Sequence, residues 1–155
     1  MSKSQAKLEK ITVNVGVGKV VKDTKHIAAV EENLTKITGQ KPARRMAKKA
    51  IAGFKLREGD LVGLVATIRG KRMQDFITRL TKLTLPSNRD FKGIDESSID
   101  ASGNLTIGLS DMTAFPELHD QAGSFEHGIE LTLVTSAQRA GAKAFYESLG
   151  IPFKK

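Results

Sequence analysis

The chain has 155 residues, is 39% hydrophobic and carries a net charge of +8, which suits one domain with an aliphatic core and a polyanionic partner. It contains no cysteine, which excludes disulfides, thiol nucleophiles and thiolate metal sites. The longest uncharged apolar run, Leu61 to Ile68, is too short to span a bilayer, and residues 1–10 lack a signal-peptide core, so we expect a cytoplasmic protein without a membrane partner.

A strand and a helix are predicted in the first part of the chain. Residues 8–17 alternate between apolar and polar positions, which predicts a half-buried strand. The period then changes to that of a helix, with Asp23 or Thr24 as its cap and with Gly39 and Pro42 at its end. The inward residues are Ile11, Val13, Val15 and Val17 in the strand and Ile27, Val30, Leu34 and Ile37 in the helix.

The excess of positive charge lies in the segment that follows this helix. No Asp or Glu occurs between Glu32 and Glu58, an interval that holds eight of the 25 basic residues. So many like charges destabilise a fold unless a partner neutralises them, although a solvated charged surface is the plainer alternative. Ile51 and Phe54 interrupt the run, which favours a long loop anchored at its base. The cations expected to project from this loop are Arg44, Arg45, Lys48 and Lys49.

Three strands and two helices are predicted in the second part of the chain. Apolar residues at alternate positions predict strands at 103–109 and 128–135, and a run rich in β-branched residues predicts a strand at 61–69. One helix begins near Lys71 and is closed by Pro86, and the other runs from about Ala137 to Leu149 with Thr135 or Ser136 as its cap. The apolar stripe of the first of these helices consists of Met73, Phe76, Ile77, Leu80 and Leu83.

This order of elements predicts a single α+β domain over residues 1–155, with residues 1–7 flexible and a mainly antiparallel sheet carrying helices on one face. The opposite face shows small polar side chains and a few charges. An ordinary solvated sheet face has this composition, and so does a platform for RNA that is recognised by shape, because stacking aromatics are missing. The outward residues are Lys10, Thr12, Asn14, Gly16, Thr67, Arg69, Asn104, Thr106, Glu130 and Thr132.

No motif for catalysis, a cofactor or a metal is complete. The run at residues 17–20 resembles the end of a phosphate loop, but Val13 and Val20 occupy positions where that motif needs Gly and Ser or Thr. His26, His119 and His127 are too scattered for a metal site. We therefore expect a protein that is not an enzyme and that needs no cofactor or metal.

Several motifs together resemble the bacterial L-five (uL-five) family of large-subunit ribosomal proteins. The two most specific ones are Gly39-Gln40-Lys41-Pro42 and the run Ala47-Lys48-Lys49-Ala50-Ile51-Ala52-Gly53-Phe54-Lys55-Leu56-Arg57-Glu58-Gly59. Further matches stand in the family's order at residues 14–18, 67–73, 89–93, 103–104, 115–117 and 152–155. The resemblance extends from about residue 8 to the end of the chain.

This resemblance implies a structural constituent of the large ribosomal subunit that binds 5S ribosomal RNA in the central protuberance. The other implied partners are large-subunit ribosomal RNA, P-site transfer RNA, neighbouring proteins of the protuberance and, at an intersubunit bridge, a small-subunit head protein. The matching positions imply 5S RNA contacts at Lys10, Thr12, Asn14, Gly16, Gly18, Lys41, Lys55, Arg57, Thr67, Arg69 and Arg72. They imply transfer RNA contacts at Arg44, Arg45, Lys48, Lys49 and Ala50.

The sequence departs from the family pattern at two places. Family members usually begin with a further helix before the first strand, whereas seven residues precede Leu8, so we expect a member without that helix. After Phe115-Pro116-Glu117 the family continues with an acidic, Tyr-containing run, whereas this chain has Leu118 to Ser124. The contact with the small-subunit head protein is therefore the one that the family pattern supports least. The alternative function is that of a free-standing RNA chaperone or regulatory RNA-binding protein.

Overall fold

The computed structural model describes residues 6–17, 24–48, 59, 61–87, 93–109, 115, 117–118 and 128–154. The strands are β1 (Leu8–Gly16), β2 (Ala43–Met46), β3 (Leu61–Ile68), β4 (Leu105–Leu109) and β5 (Ile129–Thr135). The helices are α1 (Thr24–Thr38), α2 (Gly70–Arg79), α3 (Leu85–Ser87) and α4 (Arg139–Ser148). A π-helical turn (Leu80–Thr84) joins α2 to α3, and a 3-10 turn spans Glu96–Ser98.

The five strands form one antiparallel sheet in the order β2-β3-β1-β5-β4. The first strand of the chain is therefore central, and each of its two neighbours is paired on its far side with an edge strand. The α+β fold with an antiparallel sheet, predicted from the sequence, is confirmed. Among the described residues, no helix has the length and apolar character needed to cross a bilayer.

The hydrophobic core lies between the sheet and the helices. Every inward position predicted for β1 and α1 is buried, because alternation in the strand and helical spacing in the helix turn these side chains to the same layer. The core joins side chains from β1, β3 and β5 to side chains from α1, α2 and α4, among them Val13, Leu64, Leu131, Leu34, Phe76 and Tyr146. The opposite face of the sheet carries the polar side chains of these strands.

The helix after β3 differs from the prediction in its stripe and in its end. Leu83, which was expected to face the core, is 51% exposed, whereas Thr84 and Leu85 are buried. The π-helical turn is the reason, because its wider spacing rotates the following residues around the helix. Pro86 was expected to close the helix and lies in α3, whose last residue is Ser87, so the helix continues one residue past the expected end.

Two other predictions from the sequence are corrected. Ala43–Met46, expected to be part of a loop, is the edge strand β2, whose four residues are all exposed and thus carry no apolar alternation. The cap expected for α4 at Thr135 or Ser136 is wrong, because the helix begins at Arg139 after Gln138, which makes no side-chain cap bond. The Thr135 hydroxyl instead accepts a hydrogen bond from the Ala137 N–H (3.1 Å), which stabilises the turn before the helix.

Candidate nucleic-acid interface

Four threonines lie in one row across the polar face of the sheet. Thr12 of β1 is opposite Thr67 of β3 on one side and Thr132 of β5 on the other, and Thr132 is opposite Thr106 of β4. Directly opposite residues have Cβ atoms about 4.5–5.5 Å apart, so the row is a line of closely spaced hydroxyls. Each hydroxyl can donate and accept, and none is long enough to keep a ribose or phosphate away from the sheet.

A groove lies beside this threonine row. Asn14 of β1 is opposite Glu130 of β5, and in the next row Gly16 is opposite Gly63, which is opposite Arg45 of β2. The groove has a volume of about 960 Å³, which is at the upper end of the range for pockets that hold small molecules. Its lining consists of Thr12, Asn14, Gly16, Arg45, Val62, Gly63, Val65, Gly108, Leu109, Gly128, Ile129 and Glu130.

Glycines form much of the floor of this groove. A Cβ at Gly63 would lie 3.2 Å from the carbonyl oxygen of Val15, so the backbone packing there leaves little room for a side chain. A Cβ at Gly16 or Gly108 would meet no heavy atom within 4 Å, which shows open space above both positions. An incoming group can therefore approach the strand backbone itself.

Basic residues continue from the threonine row where β3 ends. Arg69, Lys71 and Arg72 are exposed and stand around the first turn of α2. That turn contains no acidic residue, and Arg69 at the N-cap position makes no side-chain cap bond. The N–H groups of such a turn attract anions, and the adjacent cations add to that attraction.

The turn after α1 is fixed to the same end of β3. Gln40 Nε2 donates to the carbonyl oxygen of Thr67 (2.9 Å), and the Thr38 hydroxyl lies within hydrogen-bond distance of the carbonyl oxygens of Leu34 (2.7 Å) and Gln40 (2.9 Å). Lys41 follows Gln40 and is exposed. The structure thus attaches the start of the basic segment to the sheet beside Thr67.

The strand β2 directs its two arginines to opposite faces of the sheet. Arg45 is opposite Gly63 and lines the groove. Arg44 is opposite Leu64, on the helix side, where its Nε donates to Glu31 Oε1 (2.8 Å) and a terminal nitrogen donates to Glu31 Oε2 (3.1 Å). The hydrogen bond from Arg44 holds the pKa of the Glu31 carboxyl below its usual range. Of the cations expected to project, Arg44 is therefore engaged within the protein.

The basic segment is closed at its base by a backbone hydrogen bond. The Gly59 N–H donates to the carbonyl oxygen of Ala47 (2.8 Å), in agreement with the expected loop anchored at its base. Lys48, just beyond this bond, is exposed. The remaining site residues expected from the sequence lie outside the described residues, namely Gly18, Lys49, Ala50, Lys55 and Arg57.

The segment that the resemblance assigns to the intersubunit bridge is attached to the helices at its start. Arg79 of α2 forms an ion pair with Glu117, and its other terminal nitrogen donates to the carbonyl oxygen of Ile37 (3.2 Å). Its guanidinium carbon also lies 5.9 Å from the centre of the Phe76 ring. Leu118 is fully buried, and residues 119–124 lie outside the described residues.

Two acidic residues at this interface were not given a role by the sequence. The sequence does not predict the pair between Glu31 and Arg44, because no alternation of apolar residues marks the strand β2 that carries Arg44. Glu130 was placed on the polar face, but only the structure shows that it lines the groove. Among the described residues, no three His, Asp or Glu side chains are grouped so that they could hold a metal ion.

Comparisons with known proteins agree along almost the whole chain. Residues 4–57 match the family model described as ribosomal protein L5, and residues 61–153 match the model of the C-terminus of the same ribosomal family. The large ribosomal subunit protein uL5 of Fusobacterium nucleatum is 46% identical over 150 residues, 96% of this chain and 82% of that protein. The uL5 proteins of Acholeplasma laidlawii and Rubrobacter xylanophilus are both 43% identical, over 96% and 95% of this chain and 83% and 82% of theirs.

These matches define a class, that of the structural, non-enzymatic proteins of the large ribosomal subunit. The chain belongs to the ribosomal protein L5 (uL5) family, which confirms the resemblance seen in its motifs. The family places it in the cytoplasmic ribosome. A free-standing RNA chaperone is not favoured, because each of these relatives is named as a large-subunit protein.

Proposed function

We propose that this protein binds 5S ribosomal RNA on the polar face of its sheet and contacts P-site transfer RNA through its basic segment. The observation that carries the proposal is the threonine row beside a groove floored by glycines, with cations at its borders. RNA helices present a wide, shallow groove with ribose hydroxyls, which are recognised by shape and by contacts to sugar and phosphate. A smooth polar surface with peripheral cations fits that target.

The proposal divides the contacts between the sheet and the segment. The sheet and its borders bind 5S RNA through Lys10, Thr12, Asn14, Gly16, Gly18, Lys41, Lys55, Arg57, Thr67, Arg69 and Arg72. The tip of the basic segment touches transfer RNA through Arg45, Lys48, Lys49 and Ala50. Arg44 would join that contact only by leaving Glu31, so an RNA phosphate there has to compete with a bidentate carboxylate.

The remaining partners follow from the place of the family in the ribosome. Large-subunit ribosomal RNA and neighbouring proteins of the central protuberance would meet the other exposed surfaces. A small-subunit head protein would meet the chain around Glu117, which the ion pair with Arg79 attaches to α2. A residue held in this way loses less conformational entropy when a partner binds it, which supports the bridge contact.

Variants of each surface test the proposed division. Asn14→Ala and Arg69→Ala should weaken 5S RNA binding by about tenfold each, because each removes one polar or ionic contact. Lys48→Ala should leave 5S binding within about twofold and should speed the loss of transfer RNA from the P site of ribosomes that carry the variant. Filter binding measures the first effect, and transfer RNA dissociation measures the second.

Lys36→Ala is the matched control for Lys48→Ala. Lys36 is an exposed lysine on α1 that belongs to neither set of proposed RNA contacts, and its ammonium lies 3.7 Å from Glu32. Its loss removes the same charge without touching either proposed surface. If Lys48→Ala abolished 5S binding and left transfer RNA retention unchanged, the proposed division would be wrong.

A further inference from the structure

One acidic residue lies inside a groove that is otherwise suited to RNA. Glu130 is exposed on β5, between Asn14 on β1 and Gly108 on β4. It is the only acidic residue in the lining of the groove as far as the structure describes it, and the ion pairs between described residues do not include it. The fold does not need this carboxylate for any contact that the structure shows.

A carboxylate at this position restricts what part of an RNA can lie against it. An ionised carboxylate only accepts hydrogen bonds, and it repels phosphates. The group that occupies this part of the groove must therefore present N–H or O–H donors and keep its own phosphate elsewhere. Arg45, on the opposite side of the groove beyond Gly63, is suited to hold that phosphate, and this inference assigns it to 5S RNA in place of the transfer RNA contact proposed above.

Asn14 narrows the choice of donor. Asn14 on β1 is directly opposite Glu130 on the neighbouring strand β5, so a carboxylate and an amide stand side by side on the same face of the sheet. The Watson–Crick edge of guanine carries two adjacent donors, N1–H and N2–H, next to one acceptor, O6. The two donors match a bidentate carboxylate and the acceptor matches an amide N–H, whereas adenine, cytosine and uracil have no two adjacent ring-edge donors.

The space around the two side chains suits a base that enters from above. Gly108 flanks Glu130 and Gly16 lies in the next row beyond Asn14, and neither position has a heavy atom within 4 Å of where a Cβ would stand. A planar base can therefore reach the level of the strand backbone. Only an unpaired nucleotide has its Watson–Crick edge free for such a contact.

We propose that Glu130, together with Asn14, recognises the Watson–Crick edge of an unpaired guanine in the RNA bound to the sheet. Glu130 is then a specificity-determining residue, and recognition by shape is supplemented by the reading of one base. The inference rests on the proposed binding of 5S RNA to this face. It adds that one guanine in that RNA contributes more to affinity than its neighbours do.

Glu130→Gln tests the inference because the two possible roles of the carboxylate predict opposite signs. If Glu130 accepts from guanine, the amide places an N–H₂ group against the base donors and 5S RNA affinity falls about tenfold or more. If Glu130 only repels phosphates, the variant binds 5S RNA as tightly as the wild type or more tightly, and that result would overturn the inference. Glu32→Gln is the matched control, since it removes one exposed carboxylate from α1 on the far side of the sheet, and its affinity should stay within about twofold.

Inosine interference identifies the base. 5S RNA with inosine at scattered guanine positions lacks the N2 amino group there, and wild-type protein should reject molecules with inosine at one particular position. With Glu130→Ala that rejection should disappear while the rest of the interference pattern persists. An identical pattern for the two proteins contradicts the inference, whereas a wild type that binds 5S RNA no better than an unrelated RNA contradicts the proposed function instead.

Discussion

Tyr146 is the only tyrosine of a chain without tryptophan, and it connects α4 to the sheet. Its hydroxyl lies 2.7 Å from the carbonyl oxygen of Gly103 and 3.1 Å from that of Leu133, and the side chain is fully buried. Burial raises the pKa of the Tyr146 phenol above its usual range, because the ionised form would lose the solvation of water. The ionisation of the Tyr146 phenol therefore indicates whether α4 is packed against the sheet.

The raised pKa predicts how stability depends on alkaline pH. Above about pH 10 an unfolded chain releases the phenolic proton while the folded chain keeps it. The unfolded state then binds fewer protons, so the free energy of unfolding decreases as pH rises through this range. In Tyr146→Phe this part of the decrease should be absent. The phenolate absorbance of the native protein should appear at higher pH than that of the protein in denaturant, and coincident titrations would contradict the assignment.

Gly103 and Gly141 differ in the space that an added Cβ would have, and alanine substitutions test the effect of this difference on stability. Gly103 has φ +88°, and a Cβ there would lie 2.4 Å from the carbonyl oxygen of Ala137. Gly103→Ala should therefore lower the free energy of unfolding by more than about 1 kcal/mol, because it adds a backbone clash to an unfavourable conformation. Gly141→Ala is the control, since Gly141 lies within α4 with open space around it, and it should raise stability by up to about 1 kcal/mol. Denaturant unfolding of both variants measures the difference, and equal effects would contradict the structure at Gly103.

At the scale of elements, β2 is held by little more than one strand partner and one ion pair. It is four residues long and at the edge of the sheet, and its only described side-chain bonds to a helix are those from Arg44 to Glu31. Lys41, Arg45 and Lys48 all depend on the position of this strand or its flanks. The Glu31–Arg44 pair therefore holds β2, from which the basic segment extends, against α1.

The lowered pKa of Glu31 gives the pair a defined pH dependence. A carboxylate that is stabilised when folded contributes to stability above its unfolded pKa of about 4.3, and the contribution disappears as pH falls through the lower folded value. Glu31→Gln should thus destabilise the protein at neutral pH, and the deficit should shrink in acid. The amide protons of β2 should exchange faster in this variant. Glu32→Gln, one residue along the helix, should change neither property, and equal effects of the two substitutions would contradict the positioning role.

The elements that the sequence predicted correctly are those whose amino-acid pattern is fixed by burial. β1, β4 and β5 bury alternate residues over most of their length, β3 buries six of its eight residues, and α1 buries every third or fourth, so their patterns are visible without coordinates. The strand β2 is exposed at all four positions, and its place depends on hydrogen bonds that leave no amino-acid pattern. The π-helical turn is missed for a related reason, because a change in helical period moves Leu83 outward without any change in composition.

In the molecule as a whole, the two faces of one antiparallel sheet have different roles, one in the hydrophobic core and one at the surface. Its inner face and the helices supply the hydrophobic core, and its outer face is free to present polar groups that the core does not require. The outer residues could be named from alternation alone, since a residue between two buried ones must point outward. Their assembly into a threonine row and a groove could not, because it depends on the register of four strand pairs.

Gly16→Val is the variant that shows whether 5S RNA occupies this outer face. A Cβ at this position would meet no heavy atom within 4 Å, so a valine side chain would extend into the groove and would leave every cation in place. If about five phosphates are contacted, the wild type should bind 5S RNA with a slope of log K against log salt of about −4. Gly16→Val should keep about that slope but bind about tenfold or more weakly. Undiminished affinity in a variant that unfolds at the same temperature as the wild type would contradict the account.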